Sequence, residues 1–275
     1  MKQILIIIGK EWRDGLRNRW LVATTVLLAT LALTLAFLGS APTGAVKVSA
    51  LSVTIVSLSS LTIFLIPLMA LLLSYDAIVG EIDRGTMALL LTYPVARWQV
   101  VLGKFIGHLA ILLFATVIGY GVAGFALQWT QGAENGAWAA FAFMIATSAL
   151  LGAVFIAIGY LISTSVGDRG AAGGIAIGVW LFFVLIYDMA LLGGLVADQG
   201  RFMTPAVLNV LLLLNPADAY RLFNLAGFAN VGALSGLAGL GEQMRVGPGI
   251  LVAAMMLWVV VPLLLAAALF TRRSV

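Results

Sequence analysis

The chain has 275 residues, of which 63% are apolar and 9% charged, and its mean hydropathy is +1.12. That balance describes an integral membrane protein, and apolar runs of about 20 residues favour a helical bundle over a β-barrel. The lack of cysteine excludes a disulfide framework, a thiolate metal site and a cysteine nucleophile; the net charge of +4 comes from basic residues flanking the spans, so nucleic acid is not an expected partner.

The first residues are amphipathic. Leu5, Ile8, Trp12 and Leu16 recur at helical spacing while Lys10, Arg13, Asp14 and Arg17 occupy another face, as in a helix lying on the inner membrane surface and touching lipid. The apolar run that follows is long enough to span, so it is read as a retained first span rather than a cleaved signal. Hydropathy places six spans at about 20–39, 51–75, 104–128, 138–163, 171–196 and 248–270, in one transmembrane domain. The run 207–214 is too short to cross and is expected to be re-entrant or interfacial. With a cytoplasmic N-terminus, eleven Lys and Arg fall on the inner side and four on the outer. Both termini are therefore expected in the cytoplasm.

Between the second and third spans lies an island of charge, GEIDRGTMALLLTYPVARWQVVLGK, residues 80–104. It holds Glu81, Asp83, Arg84, Arg97 and Lys104; Gly85 and Thr86 punctuate it, residues 87–91 are apolar, and Pro94 breaks the chain before Gly103. The pattern predicts a short helix at the cytoplasmic surface whose charged ends face water and whose apolar middle enters a groove on a partner.

Catalytic groups are sparse. His108 is the one histidine, and no zinc, nucleophile-elbow or phosphate-loop motif occurs. The chain is therefore expected to be no enzyme; the rival from another class is an intramembrane enzyme using His108 or Asp188. Asp188 sits deep in the fifth span beside Tyr187. A mid-membrane carboxylate costs ~2.5–3.5 kcal/mol to insert, which points to a cavity or a partner. With Met189 it marks a candidate translocation path, the alternative being an interfacial Asp. Met144, Met189, Met203, Met244, Met255 and Met256 fall in the outer half, where thioethers suit a soft metal but also serve as core filler. Gly170, Gly174 and Gly178 recur every four residues, a surface for close packing within the chain or between two copies.

The segment 197–247 is a long outer excursion. Asn215-Pro216 reads as a turn and helix start. Tyr220 and Arg221 are residue types favoured in interface hot spots, so the segment is expected to dock a periplasmic partner. The rival is a re-entrant plug over the outer mouth, with Asp218 and Arg221 as an internal i, i+3 pair.

Glu81, Gly85-Thr86, Pro94-x-x-Arg97 and Gly103-Lys104, with the amphipathic KEWRDGLRNRW and the six-span plan, resemble the membrane subunit of type-2 ABC permeases. The resemblance implies a coupling helix at 80–103 seated in a separate cytoplasmic ATPase that carries ATP and magnesium. It also implies a bacterial inner-membrane homodimer and no cofactor bound by this chain. The stretch NPADAYR at 215–221 is similar to the branch of that family serving copper-centre maturation of nitrous oxide reductase. That branch implies a periplasmic accessory protein; the alternative is an exporter subunit for a drug, sodium, lipid or glycan.

Overall fold

The structure is a computed structural model describing residues 2–17, 19–38, 50–131, 137–198, 203–227 and 247–273. Among these residues every regular element is helical. In chain order they are α1 (Lys2–Leu16), α2 (Arg19–Leu38), α3 (Ala50–Ser74), α4 (Val79–Asp83), α5 (Thr86–Leu91), α6 (Arg97–Gln131) and α7 (Ala137–Ser165). Then come α8 (Arg169–Leu181), a π-helical turn (Phe182–Ile186), α9 (Tyr187–Asp198), α10 (Pro205–Leu214), α11 (Pro216–Gly227) and α12 (Pro248–Arg272).

Five helical stretches are long and apolar enough to cross a membrane: Ser57–Asp83, Arg97–Ala126, Phe141–Ser165, Arg169–Asp198 and Pro248–Arg272. The six-span expectation is thus met in five. The first expected span forms α2, a helix of 20 residues. The run 207–214 forms most of α10, which is too short to cross.

α7 is the axis of the bundle. Its apolar part is 67% buried, against 11% for the fourth stretch, so α8 and α9 lie at the periphery. The axis exists because α7 carries glycines where neighbours press closest. A Cβ on Gly159 would fall on Ser74 Oγ of α3, and one on Gly152 would fall on Leu112 of α6. The main core joins Ile66, Leu71, Val154, Phe155, Tyr160, Met255 and Phe270; a second cluster gathers Leu28, Leu58, Tyr120, Phe141 and Met144.

The Gly170, Gly174 and Gly178 stripe does not pack inside the chain. All three are exposed, and a Cβ on Gly174 or Gly178 would meet nothing within 4 Å.

The N-terminal helix differs from a helix lying flat on a surface. Ile7 faces Gly103, Glu11 faces Gly107, and Gly15 faces Ile111. The pairs keep step four residues at a time, so α1 runs beside the start of α6 in the same direction. A Cβ on Gly107 would come within 2.6 Å of Glu11 Cβ, so glycine there is what lets the helices touch. The buried face of α1 is Ile7, Glu11 and Gly15, while Leu5, Ile6 and Leu16 point outward.

Candidate functional site

The island of charge folds into two short helices mounted on the ends of the spans. Gly85 takes φ +71°, a conformation that glycine adopts without Cβ strain, and so reverses the chain between α4 and α5. Thr86 Oγ1 then donates to Glu81 O at 3.1 Å, satisfying a carbonyl of the short helix α4. Met87 is fully buried and anchors α5, whereas Leu89 and Tyr93 are each 68% exposed. Asp83 and Arg84 are exposed at the turn, and Pro94, also exposed, accepts a hydrogen bond from Gln3 of α1.

Glu81 and Arg97 do not face water as the sequence suggested. Glu81 is 7% exposed and belongs to a closed ring of four charges. Lys104 Nζ lies 2.8 Å from Glu11 Oε1 and 2.9 Å from Glu81 Oε1; Lys10 Nζ lies 3.2 and 3.0 Å from the same two atoms. The ring ties α1, α4 and α6 together. His108 Nε2 approaches the other Glu11 oxygen at 3.3 Å, and its Nδ1 is 2.9 Å from Tyr160 Oη of α7. Nε2–H donates to Glu11, and Nδ1 pairs with the Tyr160 hydroxyl. The lone histidine is thus a structural link.

Burial works against the Glu11 carboxylate, but hydrogen bonds and charge from His108 and Lys104 outweigh it and hold Glu11 well below the usual carboxylate range. Burial also opposes the Lys10 charge, yet Glu11 and Glu81 keep it above its ordinary range. The two-to-two balance explains how Glu11, Glu81 and Lys104 tolerate so little water. A cavity of about 410 Å³ opens beside the ring, lined among others by Asp14, Asp76, Arg84 and Thr86. Arg97 turns away from it, toward the end of α12.

Asp188 lies roughly 28 Å along the fourth stretch from Arg169, counting 1.5 Å per residue, in the other half of the bundle. There the structure joins two groups that the sequence kept apart. Arg221 Nη2 reaches Asp188 Oδ2 at 2.8 Å and its Nη1 reaches Asp218 Oδ1 at 2.7 Å. Asn215 Nδ2 donates to Asp218 Oδ2 and to Phe183 O, both at 2.9 Å, and its Oδ1 accepts from the Ala217 amide as Pro216 opens α11. The Phe183 carbonyl belongs to the π-helical turn, a turn that leaves the ordinary ladder and so can offer a bond outward. The i, i+3 pair of Asp218 with Arg221 therefore exists. Asn215, Asp218 and Tyr220 are at most 1% exposed, so they offer no face to a docking protein in this conformation. Met189 points outward, 72% exposed. Of the outer-half methionines, Met144 and Met255 are buried core, and Met244 lies outside the described residues. Among the described residues, no group of three or more His, Cys, Asp or Glu could hold a metal. His108 and Asp188 belong to separate networks.

Sequence reasoning missed Glu11, Lys10 and Arg273. Glu11 could have been found: it is a charge interrupting an apolar helical face, with a small residue four positions on.

Several membrane-length apolar helices make this a multi-pass membrane protein. The chain belongs to the ABC-2 transporter family, described as ABC-2 family transporter protein and matched over residues 5–275. It is 49% identical over 276 residues to the probable ABC transporter permease protein NosY of Stutzerimonas stutzeri, covering 99% of each chain. It is 46% identical over 277 residues to the same-named protein of Pseudomonas aeruginosa, covering 100% of each. The chain is the permease subunit of an ABC transporter, non-catalytic itself, with ATP hydrolysis in a separate subunit.

Proposed function

We propose that this permease receives force from its ATPase through the turn Thr86–Leu91 and passes it along the bundle, in service of copper-centre maturation of nitrous oxide reductase. The mechanical reading rests on one observation above all. At a polar, charge-ringed end, Leu89 and Tyr93 stand 68% exposed while Met87, Glu81 and Lys104 are locked inward. An apolar tip on a rigid mount costs free energy in water and gains it in a partner's groove. Asp83 and Arg84 flank it as exposed charges that set register. Glu81, Gly85, Thr86, Pro94, Arg97, Gly103 and Lys104 build the mount rather than the contact.

The maturation role is carried over from the NosY similarity, which spans the whole chain. On this reading the chain works as a homodimer in a bacterial inner membrane with both termini cytoplasmic, and ATP and magnesium belong to the ATPase. The exposed Gly170, Gly174 and Gly178 face is where a second copy can approach. The outward Leu5, Ile6 and Leu16 of α1 meet lipid. A periplasmic accessory protein would engage residues of the 197–247 excursion other than the buried Asn215, Asp218 and Tyr220. The test is co-expression with the ATPase. Leu89→Asp with Tyr93→Asp should abolish co-purification while the permease keeps its melting behaviour. Retention of the ATPase by that variant would contradict the reading.

A further inference from the structure

Two span ends at the α1 side are closed by arginines from other parts of the chain. A helix leaves its last carbonyls without partners inside the helix, and a cation there also meets the negative end of the helix dipole. At the end of α12, Arg97 Nη1 donates to Phe270 O at 2.7 Å and also to Arg273 O. Its guanidinium sits 5.4 Å from the centre of the fully buried Phe270 ring. Arg273 repeats the arrangement one helix further on. Its Nη1 donates to Ser163 O and Thr164 O, both at 3.3 Å, in the last turn of α7.

The circuit closes through the same serine. Ser163 Oγ accepts from the amides of Ile78 and Val79 at 3.0 and 3.1 Å, where α4 begins. The segment 78–97 is thus fastened to α7 at its start and to α12 at its end, and α12 is fastened to α7. A loop with free ends absorbs a push by bending. One fixed at both ends to two joined helices must pass the push on.

We propose that Arg97 and Arg273 are positioning residues of the transmission path, and that the chain's final helical turn, residues 270–273, is part of the coupling apparatus. Displacement of α5 moves the ends of α12 and α7 with it as one body. The proposal rests on the reading of α5 as the ATPase contact. A lysine at 97 offers a compact ammonium in place of the planar guanidinium, so it holds the two carbonyls and the ring face together less well than Arg97 does.

The experiment uses the permease–ATPase complex and exploits the absence of native cysteine. Spin labels go on Ala88→Cys, Thr271→Cys and, as a reference at the far end of α6, Trp129→Cys. With the Arg residues intact, nucleotide should leave the 88–271 separation unchanged while both shift relative to 129. In Arg273→Ala and in Arg97→Lys, the ATPase should stay bound, the 88–271 separation should change with nucleotide, and the shift of 271 should be lost. A nucleotide-dependent 88–271 separation with both arginines present would overturn the proposal, whether or not the variants fold. So would variants that behave as the parent, or variants that release the ATPase. Failure of the docking reading looks different: the parent itself would not retain the ATPase, and the clasp would lose its role with it.

Discussion

Removing Lys104 tests whether the ring of charges at the α1 end holds the permease together. Its side chain is 3% exposed, and its carboxylate partners on Glu11 and Glu81 are 8% and 9% exposed, so solvent cannot compensate for its loss. In Lys104→Met Glu81 is left with Lys10, whose side chain is 48% exposed, and Glu11 with Lys10 and His108. Breaking a buried ion pair from one side costs about 3–5 kcal/mol because a charge is left stranded. At a few degrees per kcal/mol for a chain of this size, the melting midpoint should fall on the order of 10 °C. Removing the charges together is much milder, since neutral groups strand nothing. The triple variant Lys104→Met, Glu11→Gln, Glu81→Gln should therefore recover more than half of the loss. Tryptophan fluorescence during thermal unfolding in detergent reads both. A single variant that melts like the parent, or a triple variant that melts as low as the single, would refute the reasoning. The same geometry predicts that charge reversal at Glu81 destabilises the permease itself.

Three further outcomes follow from particular contacts. Glu11 is held below its ordinary range in the folded protein, so its contribution is present above roughly pH 4.3 and is lost as pH falls further; melting of the parent should drop more steeply on acidification than melting of Glu11→Gln. Gly159→Ala forces a methyl onto Ser74 Oγ between α3 and α7 and should cost about 1–3 kcal/mol, whereas Gly178→Ala, with open space around it, should leave the melting of the isolated subunit unchanged. Arg221→Ala strands Asp218, 1% exposed, and should cost about 3–5 kcal/mol; Asp188→Asn, at a carboxylate 26% exposed, should cost much less, and equal losses would argue against Arg221 as the shared partner.

The helical class, most of the spans and the special character of residues 80–104 were legible because hydropathy and punctuation are local properties. Gly85 is an example: a glycine between two helical runs announces a reversal, and φ +71° confirms it. Which way a charge points was not legible. Glu81 and Arg97 read as water-facing because they flank an apolar run, yet Glu81 turns inward to Lys104 and to the distant Lys10, and Arg97 to the distant Phe270. The glycine stripe misled for a related reason. Periodicity marks a face able to pack, but only tertiary structure shows that Gly152 and Gly159 receive neighbours while Gly174 and Gly178 do not. α1 was amphipathic as expected, but its partner face is the one carrying Glu11, invisible to an apolar pattern because the contact is ionic. Asp188 suggested a partner by its cost alone; that the partner is Arg221, 33 residues on, follows from the placement of α11 beside the π-helical turn.

The central claim is that the tip of α5 is the surface meeting the ATPase. A photo-activated cross-linking side chain placed at Leu89 in the native complex tests it most directly, with the same group at Trp129, 92% exposed at the other end of α6, as the control. The account predicts a cross-link from position 89 to the ATPase and none from position 129. A complex that cross-links equally from both positions, or from 129 alone, would contradict it.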